Sequence, residues 1–178
     1  MLDGPLLETG RLILRPPALE DFPRFAETLA HPSSCFIGGP MPEILAWRGF
    51  AAMAGAWALT GAAMFSVVDR ATGLWLGRVG PWTPPGWPGT EIGWTLHPDA
   101  RGRGVGVEAA TAAMDFAVDA LGWTDVIHVI DPENHASAAL AARLGSTRRG
   151  PVQLPPPYQD DAVDLWGQTA AQWRARRR

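Results

Sequence analysis

Hydrophobic and polar positions fall into a repeating order of strand and helix patterns. Arg11-Leu12-Ile13-Leu14-Arg15 alternates and is apolar enough for a first strand, which Pro16-Pro17 ends. Phe22, Phe25 and Leu29 then recur at i, i+3 and i+7 behind Glu20 and Asp21. Acids there favour the positive end of a helix dipole, so a helix follows. After a loop over 31–42 comes a second, alanine-rich helix. Ala63 to Val68 and Leu74 to Gly80 flank Asp69-Arg70-Ala71-Thr72-Gly73, a turn whose glycine can take a positive φ, and the pair reads as a hairpin.

Thr90 to Leu96 predicts a strand, Gly104 to Leu121 a helix and Thr124 to Ile130 another strand, an arrangement that implies a parallel crossover. Asn134 can cap a further helix that Gly145 stops. Short closing strands are expected around Thr147 to Val152 and Ala162 to Gln168. The resulting order, β-α-α-β-β-β-α-β-α-β-β, predicts an α/β fold of the α+β kind, a mixed sheet with helices packed on it.

One segment raises a membrane alternative, because Gly49 to Val68 is 20 uncharged residues, the length of a span. Ten of them are Ala or Gly and contribute little apolar area. Trp47, Phe50, Met53 and Trp57 recur at helical spacing, which suits a core-facing soluble helix and no membrane partner.

Size and charge narrow the picture. A chain of 178 residues fits one domain, 1–178, with a single sizeable core. The net charge of -3 gives no chain-wide basic field for nucleic acid, and the arginine-rich end from about residue 170 reads as a solvated basic tail. All 15 positive residues are arginines, and without lysine neither the P-loop nor Schiff-base chemistry is open to the chain. The single Cys35 cannot close an intrachain disulfide, and Met1-Leu2-Asp3-Gly4-Pro5 lacks the basic and apolar regions of a signal peptide. A reducing, cytoplasmic setting is expected. His31, His97, His128 and His135 show no metal spacing and read as structural or solvent-facing, so no metal is expected.

The candidate chemistry lies in Thr90 to Gly106, a strand, a short turn and a helix start crowded with glycine. Amides in the first turn of a helix lack intrahelical acceptors, and glycine lets an anion approach the main chain closely. Arg101 and Arg103 add positive charge. Gly102, Gly104 and Gly106 stand at i, i+2 and i+4, whereas a dinucleotide fingerprint needs i, i+2 and i+5, where Val107 stands.

The spacing that fits is Arg-x-x-Gly-x-Gly from Arg101 to Gly106. Together with Leu7 to Arg15, Glu91-Ile92-Gly93-Trp94 and Asp131-Pro132-Glu133-Asn134-His135-Ala136-Ser137, it resembles the GCN5-related N-acetyltransferases (GNAT superfamily). The likeness covers nearly the whole chain. It is nearest to the branch that acetylates ribosomal-protein N-termini, the RimJ/RimL-like enzymes.

The resemblance implies a V-shaped splay between the fourth and fifth predicted strands, Glu91 to Leu96 and Val126 to Ile130, in which the pantetheine arm of acetyl-CoA lies like an added strand. The arm would pair with main chain near Thr95, Leu96 and His97, and the pyrophosphate would sit on Arg101, Gly102, Arg103, Gly104, Val105 and Gly106. Asn134 is either the family's pantetheine contact or a plain helix cap. Many members place a tyrosine near the sulfur; here Ala138 to Ala141 offer none, and Ser137 is either a proton donor, directly or through water, or a structural first-turn serine.

Glu91 is the candidate general base, on one strand face with Gly93 and Thr95, with a main-chain amide near Leu96 for the oxyanion. Its alternative is a strand-edge carboxylate paired with an arginine. Trp82, Trp87 and Tyr158, in the loops over 81–89 and 154–161, either wall the acceptor site or pack the loops. The expected function is acetyl transfer from acetyl-CoA to a primary amine, of a protein N-terminus or a small molecule, by a monomer or homodimer. A catalytically silent acyl-CoA-binding or sensor module and a nucleotide-dependent enzyme are the competing classes.

Overall fold

A two-residue strand that the periodicity does not announce, β1 (Leu7–Glu8), pairs antiparallel with β2 (Leu12–Arg15) and sets Leu7 opposite Leu14. The computed structural model describes residues 4–177. They divide into two compact units, one formed by the chain up to Gly80 with Trp94–Ala112, the other by Pro81–Gly93 with the chain from Ala113 onward.

In the first unit β2 pairs antiparallel with β3 (Phe65–Asp69), and β3 with β4 (Trp75–Trp82), of which the part up to Gly80 belongs to this unit; the predicted turn joins β3 to β4, with Gly73 at φ +72°. Helix α1 (Phe22–Ala30) follows a 3-10 turn, and α2 (Glu43–Thr60) ends on Gly61 at φ +69°. The helices meet through aromatic rings, Phe22 on Trp47 and Phe25 on Phe50, and Trp57 packs edge-on against Phe65. The buried stripe of α2 is Ala46, Phe50, Met53 and Trp57. Trp47, expected in that stripe, is instead 43% exposed, because the i−4 partner of Phe50 on the buried face is the smaller Ala46. No helix among the described residues is long and apolar enough to cross a membrane.

Asp21 does not act mainly on a helix dipole. It is buried, bonded by both oxygens to Arg15 at 2.8 Å, and it also accepts the hydroxyl of Ser66 at 2.7 Å. A desolvated carboxylate needs such partners more than it needs a helix end.

Strand β5 (Glu91–Leu96) enters both units, and its last residues lead through a short 3-10 turn to α3 (Val105–Asp115). Helix α3 gives way over Phe116–Ala120 to a π-helical turn, so the predicted helix is continuous but not regular. In the second unit β5 runs parallel to β6 (Asp125–Ile130). Strand β6 pairs antiparallel with β8 (Val163–Thr169), and β8 with β7 (Thr147–Val152), in the order β5-β6-β8-β7. That combination is a mixed sheet, as expected. Helix α4 (His135–Leu144) stops at Gly145, φ +91°.

The arginine-rich end corrects the sequence reading, because it is not a solvated tail. Residues Ala170–Arg176 form α5, opened by a Thr169/Gln172 capping box. Trp173 is buried and donates its indole N–H to Asp115 at 2.8 Å, and Arg177 pairs with Asp115 and Asp119. Charge count hid this helix, since Arg174 within it and Arg177 just after it face acids far away in sequence.

Candidate active site

Glycine decides the shape of the loop before α3. Gly102 and Gly104 both take positive φ, +70° and +79°, on either side of Arg103. Residues of alternating hand turn successive amides into one concavity, a nest for an anion, and α3 begins directly after it. A Cβ on Gly102 would meet nothing within 4 Å, so the space over this turn is open. Val105 and Gly106 are buried and offer main chain alone.

The arginines stiffen the loop as well as charging it. Arg101 folds its Nε and Nη2 onto the carbonyl of Leu96, at 3.2 and 3.0 Å, and its Nη1 onto the hydroxyl of Ser33. Arg103 donates to the carbonyl of Asp99 at 3.3 Å. These acceptors are neutral, and among the described residues neither arginine pairs with a carboxylate, so the positive charge persists. A loop with open space over Gly102 and two guanidiniums outside ion-pair distance of any described carboxylate, Arg103 interacting at longer range with Asp69, could hold a pyrophosphate.

Sequence reasoning missed a third arginine. Arg11 donates to the carbonyl of Arg103 at 3.0 Å, and its Nη2 stands 3.3 Å from where a Cβ on Gly104 would lie. Its Nε is bonded at 2.7 Å to Glu108 in the first turn of α3, and Glu108 also takes the Thr9 hydroxyl at 2.5 Å. These bonds hold the Glu108 carboxyl below its usual range against a partial desolvation that raises it.

At the end of β5, the His97 amide donates to Leu76 on β4, and the Leu96 carbonyl is occupied by Arg101. The His97 ring is buried. Arg24 donates to its Nδ1 at 2.8 Å, which makes that nitrogen an acceptor and leaves the proton on Nε2, 3.5 Å from Glu27. Thr95 is half-buried, with its hydroxyl 3.5 Å from the Nε of Arg78.

Glu91 is the most perturbed acid of the second unit. It is 6% exposed, and burial pushes its carboxyl up to about 7, against hydrogen bonds from the Val129 amide at 3.1 Å and the Trp87 indole N–H at 2.5 Å, which lower it. No arginine pairs with it among the described residues, so the expected structural alternative does not hold. Around it, Trp87 meets Trp82 and Tyr158 edge-on, at 6.3 and 6.2 Å between centroids and near right angles. Asn134 caps α4 by accepting the Ser137 amide at 3.1 Å, and Ser137 is half-buried in the first turn. Among the described residues no group of three or more His, Cys, Asp or Glu is placed to hold a metal ion.

The profile of the acetyltransferase (GNAT) domain matches residues 11–147, and the chain belongs to this family. An acetyltransferase from Agrobacterium tumefaciens strain C58 is 33% identical, with a TM-score of 0.82 over 94% of this chain and 97% of that one. A ribosomal-protein-S5-alanine acetyltransferase from Vibrio fischeri shares the fold at 18% identity, TM-score 0.71, over 94% of this chain and 98% of that one. So does RimL, a ribosomal L7/L12 alpha-N-protein acetyltransferase, at 16% identity and TM-score 0.74, over 93% and 94%. Acetyl transfer is the class of reaction this membership gives.

Proposed function

We propose that the chain transfers an acetyl group from acetyl-CoA to a primary amine by direct attack in a ternary complex. The observation that carries this reading is Glu91, a buried carboxylate with a pKa of about 7, on the strand that leads along the chain to a glycine nest. The nest of Arg101 to Gly106 would hold the pyrophosphate, with Thr95, Leu96, His97 and Asn134 along the pantetheine arm.

Acetyl-CoA supplies the acetyl thioester. The acceptor arrives as an ammonium, which has no lone pair, and Glu91 removes its proton directly or through a water. An N–C bond forms and the C–S bond breaks; of the two protons the nitrogen loses in all, the first leaves on Glu91 for solvent, and the second, shed after attack, is passed on to the departing thiolate. Ser137, directly or through water, is assigned to deliver that proton, and the Leu96 amide to face the negative charge on the acyl oxygen. A base with a pKa near 7 is half-ionised at neutral pH, where an α-amine of pKa about 8 is roughly one-tenth neutral.

Trp82, Trp87 and Tyr158 would wall the acceptor. The shared fold with enzymes named for ribosomal-protein N-termini makes a protein α-amine the first acceptor to try. The test is acetyl-CoA-dependent thiol release over a panel of N-terminal peptides and small amines, for the protein and its Glu91→Gln variant. A loss of kcat of about a hundredfold or more with CoA affinity retained supports the reading. CoA bound with no amine turned over would establish the silent module instead.

A further inference from the structure

Strands β5 and β6 pair in parallel at one register position, Glu91 opposite Ile127, and the ladder stops there. In a parallel ladder the amide of Ile127 bonds the carbonyl of Thr90, as observed at 3.0 Å, and the next bond would run from the amide of Val129 to the carbonyl of Ile92. Both groups are present and neither bonds the other. The Val129 amide donates to Oε1 of Glu91 at 3.1 Å, and the Ile92 carbonyl accepts from Nδ1 of His128 at 2.7 Å. A side chain from each strand has taken the main-chain partner that the opposite strand would have used.

The His128 ring is locked for this task. Its Nδ1 faces a carbonyl and must donate, so its Nε2 accepts, here from the Ser146 hydroxyl at 3.0 Å. Ser146 is in turn held by the amide of Gln168 at 3.0 Å, which also reaches the carbonyl of Leu144. Glu91, Ile92, His128, Ser146 and Gln168 are buried and Val129 is half-buried, so an unpaired Ile92 carbonyl or Val129 amide would be costly and would zip the ladder if either side chain withdrew.

We propose that His128 is a positioning residue which, together with Glu91, wedges β5 and β6 apart beside Ile92 and Val129 and so keeps open the place where the pantetheine arm enters. The inference rests on the cofactor reading above. It gives Glu91 two separable duties: Oε1 holds the splay, and ionisation serves the reaction. Glutamine at 91 keeps a carbonyl oxygen for Val129 but cannot act as a base, whereas leucine loses both.

The experiment is calorimetric CoA binding to the Glu91→Gln, Glu91→Leu, His128→Gln and His128→Leu variants, with melting temperatures recorded and binding measured where each is fully folded. Glu91→Gln and His128→Gln, which keep an acceptor or a donor, should bind CoA within about threefold of the parent. Glu91→Leu and His128→Leu should lose affinity at least tenfold, beyond any effect of stability. If His128→Leu does not fold, the comparison of Glu91→Gln with Glu91→Leu decides alone. Parent-like CoA affinity in the folded leucine variants overturns the wedge and leaves the base reading standing. An active Glu91→Gln enzyme overturns the base and leaves the wedge.

Discussion

The indole N–H of Trp87 is hydrogen-bonded at 2.5 Å to Oε2 of Glu91, four positions further along the chain. The tryptophan therefore ties the loop over 81–89 to the acid at the start of β5. A donor to a carboxylate stabilises the ionised form, so its removal raises the pKa. Trp87→Phe deletes the donor while keeping an aromatic ring at the position that meets Trp82 and Tyr158. The acidic limb of its kcat/KM profile should move up by roughly one pH unit, with little change in kcat at high pH. An unmoved limb in an active variant would detach Trp87 from the base.

Gly104→Val should abolish tight CoA binding. Its φ of +79° is strained for any side chain, and β-branched residues tolerate it least. Calorimetry at a temperature where the variant is folded should show a loss of at least about a hundredfold, since nest amides and close approach are lost together. Affinity retained in a folded variant would place the pyrophosphate elsewhere.

Arg11→Met tests the clamp on the same loop. Arg11 fixes the carbonyl of Arg103 and is itself fixed by Glu108, so its removal should loosen the nest without emptying a core site. An expected loss of about five- to tenfold in CoA affinity with a small change in melting temperature follows, because an exposed guanidinium contributes little to folding. A large fall in stability with CoA affinity unchanged would make the clamp purely structural.

The strand, glycine turn and helix start over 91–106 were legible in the sequence because their signal is local, and with them the place of Glu91 at the start of β5. The Arg11–Glu108 pair was not, since its members are 97 positions apart and each looks like an ordinary surface charge. His128 reads from the sequence only as structural or solvent-facing. Alternation along Val126 to Ile130 could show that it shares a face with Val126 and Ile130, but not that its ring would find the Ile92 carbonyl. Helix α5 was hidden because arginine content suggests solvation until Asp115 and Asp119 are brought opposite it.

The two wedge residues should pull stability in opposite directions as pH changes. Glu91 titrates at about 7 in the folded chain, above its ordinary 4.5, so the folded state binds the extra proton between these values. Its contribution is full below about pH 4.5 and is lost as pH rises through about 7. His128 is pushed by burial from 6.5 down to about 4, so the unfolded state binds the extra proton between those values. Its contribution is present above about pH 6.5 and is lost as pH falls towards 4. In the overlap, from about 4.5 to 6.5, the slopes oppose each other and the parent should vary little from this pair. Glu91→Gln removes the falling slope, so its stability relative to the parent should rise with pH across the window. His128→Gln removes the rising slope, and its relative stability should fall with pH. Each change should span up to ~3 kcal/mol in urea unfolding free energy. Parallel pH profiles for the parent and both variants would mean that burial has moved neither group's titration away from its ordinary range.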